Sequence, residues 1–124
     1  MPRIDVAAPN SLVLVMDPSV GEIPDLTAGA SIAASRTCVA VGTLCEVDGS
    51  TCISLEAGSD GQEGHQLAFY GVLETPARRV AVVSVMNEVL LHLPVESDRT
   101  RVRIWTDDPR EPSHIAIEVS PSED

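Results

Sequence analysis

Hydrophobic and polar positions alternate with a period of two along most of this chain. "QLAFYGVLE" (66–74) sets Leu67, Phe69, Gly71 and Leu73 on one side. "EVLLHLPV" (88–95) turns Val89, Leu91 and Leu93 inward and His92 outward. "RVRIWT" (101–106) divides Val102, Ile104 and Thr106 from Arg101, Arg103 and Trp105. After two prolines the alternation resumes with Ile115, Ile117 and Val119. Period two is the mark of a half-buried strand. "SLVLVM" (11–16), "TCVAVGTLCEV" (37–47), "TCISLEA" (51–57) and "VAVVSV" (80–85) read as further strands. Between them lie "DPSVGEIPD" (17–25), "GSDGQEGH" (58–65), "TPARR" (75–79), Met86-Asn87 and "ESDR" (96–99), all rich in turn residues. "LTAGASIAAS" (26–35) is mixed: its alanines favour helix, while Gly29 and Ile32 do not.

Eight or nine short strands with closely spaced turns predict an all-β fold: an antiparallel β-sandwich with at most one short helix. The 124 residues form a single domain, 1–124. Asp48-Gly49 is a strong hairpin signal, which makes 51–57 the hairpin partner of 37–47. In that register Cys45 faces Cys52 at a distance that permits a disulfide, though a reducing compartment disfavours one. Cys38 has the opposite strand parity. The seven-residue spacing of the three cysteines is not a zinc pattern, and they read as small core or half-buried residues.

Composition narrows the function classes. Nineteen acidic residues stand against eight arginines and no lysine, for a formal net charge of −11. Such a surface repels phosphate backbones, so direct nucleic-acid binding is not expected. It favours a basic protein partner instead, because complementary fields speed encounter. Aromatic residues make up only 2% of the chain, so Val, Leu, Ile and Ala must fill the core. The start of the chain lacks a signal-peptide pattern and no apolar run approaches a membrane span, which points to a bacterial, cytoplasmic protein. No nucleophile elbow, zinc-protease or phosphate-loop motif occurs. His65, His92 and His114 lie far apart in sequence. Asp107, Asp108 and Glu111 do not follow EF-hand spacing, and Pro109 and Pro112 stiffen their loop. The expectation is a protein without catalysis, cofactor or metal.

"LETPARRVAVVSVMNEVLLHLPVESDRTRVRIWTDD" (73–108) resembles the competence protein J family. The likeness lies in a strand and turn leading to Ser84-Val85-Met86, a strand ending Leu93-Pro94, and a strand ending Trp105-Thr106. "GASIAASRTCVAVGTL" (29–44) looks like the family's paired strands, while its helix is shortened here to "PDLTAG" (24–29). The resemblance implies a β-sandwich that inhibits a DNA-entry nuclease, or an immunity-like protein. On this reading carboxylates stand in for phosphates at the nuclease site. The candidate partner-binding residues are Asp107, Asp108 and Glu111 in one loop, Glu96 and Asp98 in another, and Trp105 as apolar anchor. In the plain structural reading, Arg101 and Arg103 occupy a solvent face where Glu118 can pair with them. The alternatives are a small-ligand or carbohydrate-binding sandwich, or a structural subunit that forms a homo-oligomer.

Overall fold

The computed structural model describes residues 3–8, 11–22, 24, 32–43, 46–58, 65–108 and 112–121. Among them are ten strands: β1 (Arg3–Val6), β2 (Leu12–Met16), β3 (Ile32–Ala34), β4 (Cys38–Gly42), β5 (Thr51–Ala57), β6 (Gln66–Glu74), β7 (Arg79–Ser84), β8 (Val89–Pro94), β9 (Arg99–Thr106) and β10 (His114–Pro121). They form two five-stranded sheets. The first has the order β1-β5-β10-β9-β6 and the second β3-β4-β2-β7-β8. Every pairing is antiparallel except β5 with β10. This is the expected all-β sandwich, with β1 and β3 as strands that the sequence pattern did not single out.

The alternating side chains meet between the sheets. Ile53, Leu55, Leu73, Val102, Ile104, Ile115 and Ile117 of the first sheet pack on Val13, Val15, Val39, Val41, Val80 and Val82 of the second, all almost fully buried. The core is aliphatic, as the scarcity of aromatics requires. Leu14, Met16, Cys38, Ala40, Ala81 and Val83 form a second buried cluster, on the opposite faces of β2, β4 and β7. These strands are therefore buried on both faces, which explains why they read as continuous apolar runs rather than alternating ones.

Turn chemistry follows the sequence closely in two places. β7 and β8 are joined through Met86-Asn87. The Asn87 N–H donates to the Ser84 carbonyl, and Asn87 takes a left-handed φ of 63°. Ser84 Oγ accepts from the Met86 and Glu88 N–H groups. In the 75–78 turn, the Arg78 N–H donates to the Thr75 carbonyl. Buried Asp17 reaches this turn from the end of β2: Oδ2 accepts from the Ala77 N–H at 2.7 Å and Oδ1 from Ser19.

The Asp48-Gly49 hairpin is not formed. Glu46–Asp48 is a single 3₁₀ turn, and Gly49 has a φ of 136°. β4 pairs with β2 and β3, whereas β5 pairs with β1 and β10. The segment is thus a crossover between sheets. Both flanks of β4 are occupied, so non-local pairing overrides the local turn preference. Cys45 lies outside the described residues, as does most of 24–29. Val89 also departs from its expected inward position. The β7–β8 register shifts between Val82 and Val83, and Val89 is exposed.

Candidate functional site

The outer face of the first sheet carries Cys52, His114, Trp105 and Tyr70. Register aligns them in rows, because directly opposed residues project to the same face. One row runs Arg3, Ser54, Ala116, Trp105, Leu67 across β1, β5, β10, β9 and β6. The next runs Glu56, Glu118, Arg103, Tyr70. A third holds Asp5, Cys52 and His114.

A bulge in β6 gives this face its apolar edge. Leu67 opposes Trp105 and Phe69 opposes Ile104, with a register shift between them. Strict alternation would place Leu67 with Phe69 in the core. The extra residue, Ala68, turns Leu67 outward instead. Leu67 and Tyr70 consequently stand 47% and 57% exposed on one strand, next to Trp105.

Trp105 is half-buried, and its indole Nε1 donates to Glu118 Oε1 at 2.9 Å. Glu118 is only 3% exposed. It lies directly across from Arg103, as the alternation suggested, but its carboxylate also holds the tryptophan. The Arg101 guanidinium carbon sits 6.0 Å from the Tyr70 ring centroid, a cation–π arrangement. Arg101 Nε is buried without a hydrogen-bond partner among the described residues.

The loop after β9 is held shut by Asp107. Its carboxylate accepts from Ser113 N (2.9 Å), Ser113 Oγ (2.6 Å) and His114 N (3.1 Å), and lies 3.4 Å from His114 Nδ1. Desolvation, the largest single influence, pushes this carboxyl up. The four hydrogen bonds from Ser113 and His114 together outweigh it and hold the pKa below its ordinary value. Asp107 is thus a loop clasp before it is a contact residue. Asp108 is exposed in the same loop, and Glu111 lies outside the described residues. Glu96 and Asp98 are exposed before β9 begins. Trp105 follows Asp98 by most of a strand, roughly 20 Å. The structure therefore does not bring the two acidic loops together. They sit at opposite ends of β9.

Sequence separation concealed one cluster. His65 and His114 converge edge-to-face, with ring centroids 6.0 Å apart. Together with Arg3, Cys52, Ser54 and Glu56 they line a cavity of about 190 Å³. Arg3 Nε donates to Cys52 Sγ at 3.1 Å, and this bond is the main cause that raises the Arg3 pKa. The parallel β5–β10 pairing, which no local pattern signals, is what creates the cluster. Among the described residues, no group of three or more His, Cys, Asp or Glu is arranged to hold a metal ion. No helix among them is long and apolar enough to cross a membrane.

Comparison with known proteins finds no matching family model, no matching curated protein and no matching solved structure.

Proposed function

We propose that this chain is a non-catalytic, acidic protein-binding module that docks on a basic partner through the outer face of its first sheet. The observation that carries the reading is the exposed pair Leu67 and Tyr70 beside Trp105, all on one rigid sheet face. Exposed aromatic and aliphatic side chains around a half-buried tryptophan are the composition of an interface centre. The face is itself charge-balanced: Arg3, Arg99, Arg101 and Arg103 stand with Asp5, Glu56, Glu74 and Glu118. The excess that makes the chain −11 is carried elsewhere, including Asp108 at one end of β9 and Glu96 and Asp98 at the other. Acidic ends draw in a basic partner, and the apolar centre holds it. The resemblance to competence protein J favours a nuclease as that partner, with the module as its inhibitor.

The test is a cleavage assay with the purified DNA-entry nuclease of the host. Increasing amounts of the chain should suppress DNA cleavage. Leu67→Ala with Tyr70→Ala should weaken inhibition about ten-fold or more, equivalent to ~1.4 kcal/mol. Cleavage that continues unchanged at every concentration overturns the nuclease reading.

A further inference from the structure

We infer that β6 is a self-association edge, which pairs antiparallel with β6 of a second copy of this chain through Tyr70 and Val72. β1 and β6 end the first sheet, and β3 and β8 end the second. An open sheet edge is a template for pairing, and proteins blunt it by shortness, charge or proline. β1 has four residues with Arg3 and Asp5 among them, β3 has three residues, and β8 closes on Pro94. β6 runs for nine residues without proline, and Glu74 is its one charged residue. Two hydrogen bonds fix which of its backbone groups face outward. The Thr75 N–H donates to the Asp98 carbonyl at 2.7 Å, toward β9, whereas the Glu74 N–H donates to the Arg36 carbonyl at 2.9 Å, away from β9. Residues of an antiparallel strand alternate between these two sides. Val72 and Tyr70 follow Glu74 in this, since the register is unbroken from Phe69 to Glu74. Among the described residues, no backbone group bonds to the outward N–H and C=O of either one.

Shape points to a second copy as the occupant. A projection and a hollow lie two residues apart on this strand. Tyr70 stands 57% exposed despite its contact with Arg101. A cavity of about 500 Å³, lined by Val72, Glu74, Arg36 and Arg99 among others, opens beside Val72. A twofold axis at Gly71 sets Tyr70 opposite the second copy's Val72, and Val72 opposite the second copy's Tyr70. Each tyrosine then meets the hollow of the other chain in an aromatic–β-branched cross-strand pair. Tyr70 and Val72 of each copy donate one N–H and accept one, which makes a ladder of four backbone bonds. The ladder ends where both chains require it. The Glu74 N–H is already taken by Arg36, and the residue opposite Glu74 is the second copy's Ala68, where the β6 bulge breaks regular pairing. One symmetry axis satisfies both fits at once, whereas a foreign strand would need a matching projection at the same spacing. Long-range charge opposes the association, since each chain carries −11. Salt therefore strengthens it, which is the opposite sign from docking on a basic partner.

The experiment is sedimentation velocity of the purified chain alone, over rising concentration and at low and high salt. The interface is small, so a monomer–dimer equilibrium with a dissociation constant on the order of 10–100 μM is expected, tighter at high salt. Val72→Pro removes an outward N–H and no bond to β9, so it should leave a folded monomer. Tyr70→Ala changes an exposed side chain and should weaken the dimer about ten-fold. It keeps the test decisive if the proline variant does not fold. A chain that stays monomeric at every concentration and salt overturns the inference. A dimer that loosens as salt rises does so too, as does one that Tyr70→Ala and a folded Val72→Pro both leave intact. The nuclease plays no part in this measurement, so its outcome is independent of the proposed inhibition.

Discussion

Asp17 illustrates how a polar residue can be structural without any chemistry of its own. It is fully buried, yet each of its carboxylate oxygens accepts a hydrogen bond, and the Ala77 N–H has it as partner. Asp17→Ala strands that N–H and leaves a small void, so a loss of about 2–3 kcal/mol is expected from denaturant midpoints. Asp17→Asn keeps an accepting oxygen and should lose less. Asp107 plays a similar part at the surface, with a pH signature. Its folded pKa lies below the ordinary 3.8, so its contribution is complete above that value and disappears as pH falls through the folded pKa. Asp107→Asn should therefore flatten the acid limb of the stability–pH curve below about pH 4 and leave its neutral region parallel to the original. Trp105 and Glu118 form a third unit. Trp105→Phe removes the indole donor from a buried carboxylate and should cost about 1–3 kcal/mol. None of these three partnerships could be read from the chain, because residue type shows that a group needs a partner but not which one it will find.

At the scale of elements, some strands were legible because their burial is one-sided, and β2, β4 and β7 because burial on both faces makes them continuous apolar runs. β9 alternates cleanly and its apolar inward residues Val102 and Ile104 enter the core, as do Ile115, Ile117 and Val119 of β10, although Ala116 and Glu118 between them are also buried. β5 and β6 begin and end where the pattern places them. What was not legible is pairing. The Asp48-Gly49 signal is local, while β4 and β5 take their partners from distant segments. The β6 bulge is invisible for the same reason: alternation within one strand carries no record of its register against β9. That bulge makes a sharp prediction. Phe69 and Ile104 remain opposed when Ala68 is deleted, and Leu67 still faces Trp105. Deleting Val72 instead slips every earlier residue of β6 by one and turns Phe69 outward. The Ala68 deletion should stay folded with a midpoint near that of the parent. The Val72 deletion should lose on the order of 1.5–3 kcal/mol through Phe69 alone. Equal losses in the two variants would contradict the bulge assignment.

Over the whole molecule, the proposed function assigns recognition jointly to shape and to charge. The sandwich holds Leu67, Tyr70 and Trp105 on strands rather than loops, which would limit the ordering cost of the proposed binding. The expected acidic contact loop is only part of this arrangement, since Asp107 is engaged in closing its own loop and Asp98 lies a strand-length from Trp105. Net charge acts at longer range, before contact, and its effect is on association rather than on residence time. These two contributions separate in a single kinetic measurement: the association and dissociation rates of the chain with the host's DNA-entry nuclease, followed from low to high salt. Association should slow steeply as salt rises, and Leu67→Ala with Tyr70→Ala should speed dissociation while leaving that salt dependence intact. Binding that is absent, or that proceeds at one rate across the salt range and is indifferent to both substitutions, would contradict the account.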